Sequence, residues 1–256
     1  MAFGFSRTAV LAASIGLVVS MGTASAETTL EKTRASGVMT AGTSASYPPF
    51  EYVEDGKLVG FDVDMAEEIG KRMGVKIEFQ TIDFKGIVAA LQSGRVDTLI
   101  TALTKTPERA ERIAFSAPYY DAGIGAIVMA DSKIEEAEDL KGKKVGVQLG
   151  SSGERFVRDT LGDKIGELKT YDSIVFAIND LKNGRVDAVV NPLPVLGFNI
   201  RNQDGFRMTG VWDNRVVGIN TRLDDKDLLA EIDKTIEAMK ADGTLDRLAA
   251  KWFGKN

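Results

Sequence analysis

Apolar and polar positions along this chain alternate between two periods. Gly37 to Thr43 reads as a first short strand, and Val75 to Phe79 alternates as a half-buried strand does. Between them, Met65, Ile69 and Met73 recur at helical spacing. Asp62 stands where it would cap that helix, and Gly74 where a left-handed residue would end it. Tyr47-Pro48-Pro49-Phe50 predicts an irregular loop, because adjacent prolines remove backbone donors and lock φ. Phe84, Ile87, Val88 and Leu91 share the next helical face, Gly94 ends it, and Val96 to Leu103 predicts a buried strand. Near the C-terminus Leu228, Leu229, Ile232, Ile236 and Met239 form one face, and Asp242-Gly243 breaks it. Leu245, Leu248 and Trp252 then form another face, on helices expected to return to the first half of the molecule.

One part of this pattern is written twice. LQSGRVDTLI, from Leu91, and LKNGRVDAVV, from Leu181, agree at five of ten positions. Ile174, Ala177, Ile178 and Leu181 repeat the helix, Gly184 the stop, and Val186 to Val190 the strand. Each copy is therefore a helix, a tight turn and a strand, and its shared Arg and Asp read as turn and strand-entry residues. Two copies of one α/β unit imply two α/β lobes, each a mostly parallel sheet flanked by helices. Ligands of such sheets collect beyond the carboxyl ends of strands. Thr101 to Arg109 and Asn191 to Pro194 would then line one cleft. Ala117 to Gly123 and Trp212 to Arg215 are the expected crossings between lobes. The expected boundaries are 27–118 with 214–256 for one lobe, 122–211 for the other, and 119–121 with 212–213 for the crossings.

Composition removes much chemistry. The chain of 256 residues has no Cys and no His, which excludes thiol nucleophiles, His-dependent triads and Cys/His metal sites. Its formal charge of -5 gives no electrostatic footprint for nucleic acid. No cofactor or metal is expected. Arg7, the apolar run Ala9 to Val19 and Ala24-Ser25-Ala26 make a secretory leader over residues 1–26. Cleavage there leaves no Cys to carry a lipid, so a secreted, soluble, unanchored chain is expected.

Several further segments carry a resemblance. Tyr47-Pro48-Pro49-Phe50, Val59-Gly60-Phe61-Asp62-Val63-Asp64, Thr104 to Arg109, Phe115-Ser116-Ala117-Pro118-Tyr119-Tyr120, Leu140 to Val147, and Lys251-Trp252-Phe253-Gly254 join the two copies of the repeat. In this order they resemble the periplasmic solute-binding proteins of polar amino-acid ABC importers. The resemblance implies the periplasmic-binding-protein fold, two lobes that close on a small carboxylate ligand like a flytrap. It implies a membrane ABC permease as partner and a monomeric chain. By the same resemblance Arg109 clamps the ligand carboxylate with Thr104 beside it, Thr101 and Ala102 offer backbone contacts, and Tyr47 and Phe84 are aromatic walls. Ser151 and Ser152, within Gly150-Ser151-Ser152-Gly153, hold the carboxylate from the second lobe, and Gln148 lines the side-chain pocket. A planar guanidinium suits a carboxylate because it donates two parallel charge-assisted bonds. Without the resemblance, Arg109 is a surface residue near Glu108 and Glu111, and Phe84 a core residue.

At one position the chain departs from the family. The Asp that holds the ligand's α-ammonium is replaced by Pro192, which has neither charge nor N–H. Two readings stay open. Asn191 offers its amide oxygen, helped by water or Ser44, or the ligand has no free α-ammonium. An enzyme on this fold, such as a cyclohexadienyl dehydratase, is a second class. It needs a general acid, and no carboxylate is expected on the cleft floor, with Glu51 and Glu154 at its rim. A sensory domain working through a separate receptor is a third.

Overall fold

The computed structural model describes residues 1, 2, 4 and 27–254. The apolar run and cleavage pattern of the expected leader lie outside the described residues. Two five-stranded sheets dominate the rest. In the first, Lys76–Thr81, Val38–Thr43, Thr98–Leu99, Asn220–Thr221 and Ala114–Phe115 lie side by side in that order. In the second the order is Glu167–Tyr171, Lys144–Gln148, Ala188–Pro192, Ile124–Met129 and Phe206–Met208. The first three strands of each sheet run parallel, and the remaining pairings are antiparallel. The architecture is thus the two-lobed α/β fold, with mixed sheets where mostly parallel ones were expected. The antiparallel strands are those next to the crossings, where the chain enters or leaves a lobe rather than wrapping a helix around it.

The repeated decapeptide has the same job in both sheets. Gly94 and Gly184 turn the chain at φ of 74° and 67°, conformations glycine adopts without Cβ strain. The next amide closes the turn in each copy, Arg95 onto Ala90 at 3.0 Å and Arg185 onto Asp180 at 2.8 Å. Each Asp then reaches the neighbouring parallel strand. Asp97 accepts from the Thr40 amide at 2.8 Å and its hydroxyl at 2.7 Å, and Asp187 accepts from the Lys144 amide at 2.7 Å. The carboxylates satisfy a strand end that has no ladder partner there. Replacing Asp97 with Ala should therefore cost about 1–3 kcal/mol, the penalty of leaving buried donors unpaired. Asp187→Ala, at a more open site, should cost less. Denaturant unfolding of both variants checks this ordering.

Several expectations change in three dimensions. Asp62 caps nothing: the helix Phe61–Met73 starts after Gly60, and Asp62 lies in its first turn with its side chain buried. Gly60, at φ 139°, takes the cap position because a Cβ there would sit 2.1 Å from the Phe50 carbonyl oxygen. The strand expected over Val96 to Leu103 is regular only at Thr98–Leu99. It then breaks because Ala102 takes a φ of 45° to aim its amide at Asp62. The expected loop at Tyr47 to Phe50 is a hairpin turn instead. Its prolines sit where no ladder donor is needed, while Ser46–Tyr47 pairs with Glu51–Tyr52. The helix begun at Phe84 opens with a 3₁₀ turn, Phe84–Gly86, and continues as Ile87–Gln92.

The chain passes between sheets along a narrow ribbon. Tyr120–Asp121 pairs antiparallel with Val216–Val217, and amides of Ala122 and Ile124 donate to Arg215 and Asp213 at 2.7 Å each. The C-terminal helices Lys226–Ala241 and Thr244–Phe253 pack back on the first lobe. There Phe253 lies 4.4 Å from the Tyr120 ring centre and 5.1 Å from Phe50. Trp252 Nε1 and Lys251 Nζ both donate to Asp64, at 2.7 and 2.6 Å.

Candidate functional site

The carboxyl ends of the two sheets face one another, and side chains meet across the gap. Arg109 lies in the short helix Pro107–Ala110, capped by the Thr106 hydroxyl. That cap directs its side chain back toward the cleft, where it extends past the Phe84 ring, 5.7 Å from the ring centre. Nη1 donates to the Thr104 carbonyl at 2.8 Å, and Nη2 crosses to the Gly150 carbonyl of the second lobe at 2.7 Å. Among the described residues no carboxylate oxygen comes within 4.0 Å of this guanidinium. Glu108 beside it pairs with Arg155 instead. Desolvation lowers its pKa to about 10, with the nearby Tyr47 phenol opposing.

Thr104 and Ser152 meet across the cleft, hydroxyl to hydroxyl, at 3.2 Å, and both are buried. Ser152 opens the helix Ser152–Thr160, and Ser151 caps it by accepting from the Glu154 amide at 3.1 Å. The amides of Ser152 and Gly153 belong to the first helical turn, where no intrahelical acceptor exists. They sit at the positive end of the helix dipole, which favours an anion. Gly153 is required there, since a Cβ would approach the Val190 carbonyl oxygen to 2.4 Å. The Gly150 amide, by contrast, is taken by Glu154 at 2.6 Å, so it is no longer a donor for a ligand.

Tyr47 is buried, and Asn191 Nδ2 donates to its hydroxyl at 3.0 Å from the opposite lobe. Burial raises the Tyr47 pKa, and the charge of Glu51 adds to it. Asn191 Oδ1 is buried without a partner. Gln148 donates to the Asp172 carbonyl at 3.3 Å, and its oxygen is likewise unpartnered. Thr101 accepts from the Ser44 amide at 3.2 Å. A cleft of about 120 Å³ opens beside these groups, lined by Ser44, Ser46, Phe84, Lys85, Leu149 and Asp172. Lys85 and Asp172 span the two lobes at 3.5 Å. Seven of the ten expected residues thus meet one another, or Ser44 and Gly150 beside them, around one inter-lobe gap, while Ala102 turns its amide to Asp62 and Gln148 bonds Asp172. The tenth, Ser151, contributes a helix cap.

Three carboxylates lie elsewhere than the sequence predicts. Glu51 is not at the rim but fully buried, accepting from Ser44 Oγ at 2.9 Å and Thr101 Oγ1 at 2.6 Å. Asp62 is equally buried, accepting from the Ala102 amide at 2.6 Å and the Tyr119 hydroxyl at 3.0 Å. Glu154 is also buried, and it is tied to Arg158 and the Gly150 amide. Burial pushes Asp62 up to about 7 from its ordinary 3.8. Burial and the Asp62 charge together raise Glu51 well above the usual carboxylate range. The signal for Glu51 was its place four residues after Tyr47 across a double proline, which makes the two cross-strand partners.

Comparison with known proteins agrees with this geometry. Residues 39–255 match the family of bacterial extracellular solute-binding proteins, family 3. The chain is 36% identical over 230 residues to the L-cystine-binding protein TcyJ of Escherichia coli, covering 88% of this chain and 86% of that one. A solved structure of an ancestral arginine-binding protein bound to arginine superposes with a TM-score of 0.81 at 43% identity, covering 85% of this chain and 99% of that one. An ancestral amino acid-binding protein described as a precursor of cyclohexadienyl dehydratase superposes at 0.83 with 35% identity, covering 88% and 99%. With matching segments, matching architecture and a cleft between the two lobes, this chain belongs to the bacterial extracellular solute-binding proteins, family 3.

Proposed function

We propose that this chain captures a free amino acid between its lobes and delivers it to a membrane ABC permease, without chemistry. The observation that carries the reading is the Arg109 guanidinium, turned into the cleft beside Phe84 with no carboxylate partner among the described residues. A cation held in this way is costly unless an anion arrives. A ligand α-carboxylate would lie between Arg109, Thr104 and the amides of Ser152 and Gly153. Tyr47 and Phe84 would flank its aliphatic part, with Thr101, Ala102, Gln148, Ser151 and Asn191 completing the shell. The amino-acid ligands named for the relatives support the same class.

Closure would bring Thr104 to Ser152, Arg109 to Gly150 and Tyr47 to Asn191. The ribbon of Tyr120–Asp121 and Val216–Val217 would be the hinge, with lobes of 27–118 plus 214–256 and of 122–211. The expected leader and the family's extracellular description support a periplasmic protein; an unanchored monomer completes the reading, and the formal charge of -5 gives no footprint for nucleic acid. A thermal-shift panel of amino acids on ligand-free protein tests the reading. A true ligand at a hundred times its dissociation constant adds about 2.7 kcal/mol, a plain rise in melting temperature. A panel in which no amino acid raises it rejects the proposal.

A further inference from the structure

The α-ammonium has no carboxylate at Pro192, and the closed cleft offers another. We infer that Glu51, with the amide oxygen of Asn191, is the recognition group for the ligand's ammonium. The inference rests on the reading of this cleft as an amino-acid site.

Four observations carry it. First, Glu51 is a fully buried carboxylate with no Lys or Arg nitrogen within 4.0 Å among the described residues. Second, only half of it is satisfied. Oε1 holds the Ser44 and Thr101 hydroxyls, and Oε2 is buried without a partner. Third, it is on the ligand side. Glu51 stands opposite Tyr47 in the hairpin, and cross-strand partners share a face. Its hydrogen-bond donor Ser44 lines the inter-lobe cleft, and its other donor, Thr101, ends the central strand. Fourth, Tyr47 carries the site across to Asn191, whose Nδ2 is used and whose Oδ1 is free.

Buried acceptors without a partner fit a donor-only cation. An ammonium has three donors and no acceptor. Asp62 strengthens the case. It is held by the amide of Ala102, next to the Thr101 that holds Glu51, and one of its own oxygens also lacks a partner. Two adjacent buried carboxylates without a cation between them retain a proton. An arriving ammonium supplies the positive charge in its place. The cleft then carries a cation, Arg109, at one end and an acid at the other, the complement of a zwitterion.

The test compares each amino acid with its α-deaminated counterpart by titration calorimetry. The pairs are L-arginine with 5-guanidinopentanoate, L-glutamine with glutaramate, and L-cystine with 3,3′-dithiodipropionate. The parent should prefer the amino acid in the pair it binds. Glu51→Gln keeps an oxygen for Ser44 and Thr101 but removes the charge. It should weaken the amino acid about 10- to 100-fold, the range of a charge-assisted hydrogen bond, and leave the deaminated partner within about threefold. A merely structural Glu51 would shift both partners together or neither, and that result overturns the inference. If Glu51→Gln does not fold, Asn191→Asp in the parent decides. Asn191 Oδ1 meets the same ammonium, so the added carboxylate should raise the preference for the amino acid over its deaminated partner, and a change shared equally by both, or none, overturns the inference. A parent that binds deaminated acids as tightly as amino acids overturns this inference and leaves the carboxylate clamp standing. A parent that binds neither overturns both.

Discussion

Arg109→Lys is expected to weaken capture of a carboxylate ligand by about 100-fold, and Arg109→Ala by more, because the bidentate fork is lost in both. In the closed cleft this side chain already spends two N–H groups on the Thr104 and Gly150 carbonyls. Those bonds fix the plane of the guanidinium, and its remaining donors are free for a ligand. A lysine ammonium has three donors on a shorter, rotating stem, so it can hold neither the plane nor both carbonyls while it binds. Alanine removes the charge and opens a gap beside Phe84. Calorimetric titration of parent and variants with the tightest amino acid of the panel measures the loss. Binding by Arg109→Lys at parental affinity would show that the carboxylate lies elsewhere.

The second large effect is on stability. Asp62 has an ordinary pKa of 3.8 and about 7 in the fold, so the folded state holds its proton more tightly than the unfolded chain. Below about pH 4 both states are protonated and the burial penalty is absent. As pH rises toward 7 the unfolded carboxyl ionises first, and stability falls. Above about 7 the penalty is complete, roughly 4 kcal/mol for a shift of this size. Glu51 is raised in the same direction and adds to the trend. Carboxylates shifted the other way, such as Asp180 and Asp242, are ion-paired at the surface with Arg185 and Arg72, where water screens their contribution. The clean readout is the difference between the parent and Asp62→Asn in denaturant unfolding. The variant should gain on the parent steadily between about pH 4 and pH 7. A difference that stays flat over that range means Asp62 titrates as a solvated carboxylate.

Both effects come from groups that sequence and structure describe differently. Arg109 was legible because its neighbours form a motif: Thr106 and Pro107 start a one-turn helix, and that local geometry sets the side chain's direction. The repeat was legible for the same reason. A left-handed glycine, its closing amide and an Asp at fixed offset are local chemistry, and they recur in both copies. Asp62 was misread for the opposite reason. A carboxylate at a helix start is a cap by local rules, yet here Gly60 is forced into that place by the Phe50 carbonyl, and Asp62 turns to an amide forty residues away. Likewise the Gly150-Ser151-Ser152-Gly153 turn was expected to hold a carboxylate, yet Glu154 of the helix that follows occupies its first amide.

By itself, then, the sequence determined what depends on neighbours along the chain. That includes the helix and strand periods, the glycine stops, the absence of His and Cys chemistry, two α/β units, and a clamp motif with a proline where an acid belongs. Only the tertiary structure decided which end of each carboxylate is satisfied and which faces a partner from the other lobe. The reason is physical. Periodicity and capping are governed by contacts within a few residues, whereas burial without a counter-ion is a property of the closed fold. Glu51 acquires it only when Ser44, Thr101 and Asp62 converge on it, and Asn191 reaches Tyr47 from 144 positions away.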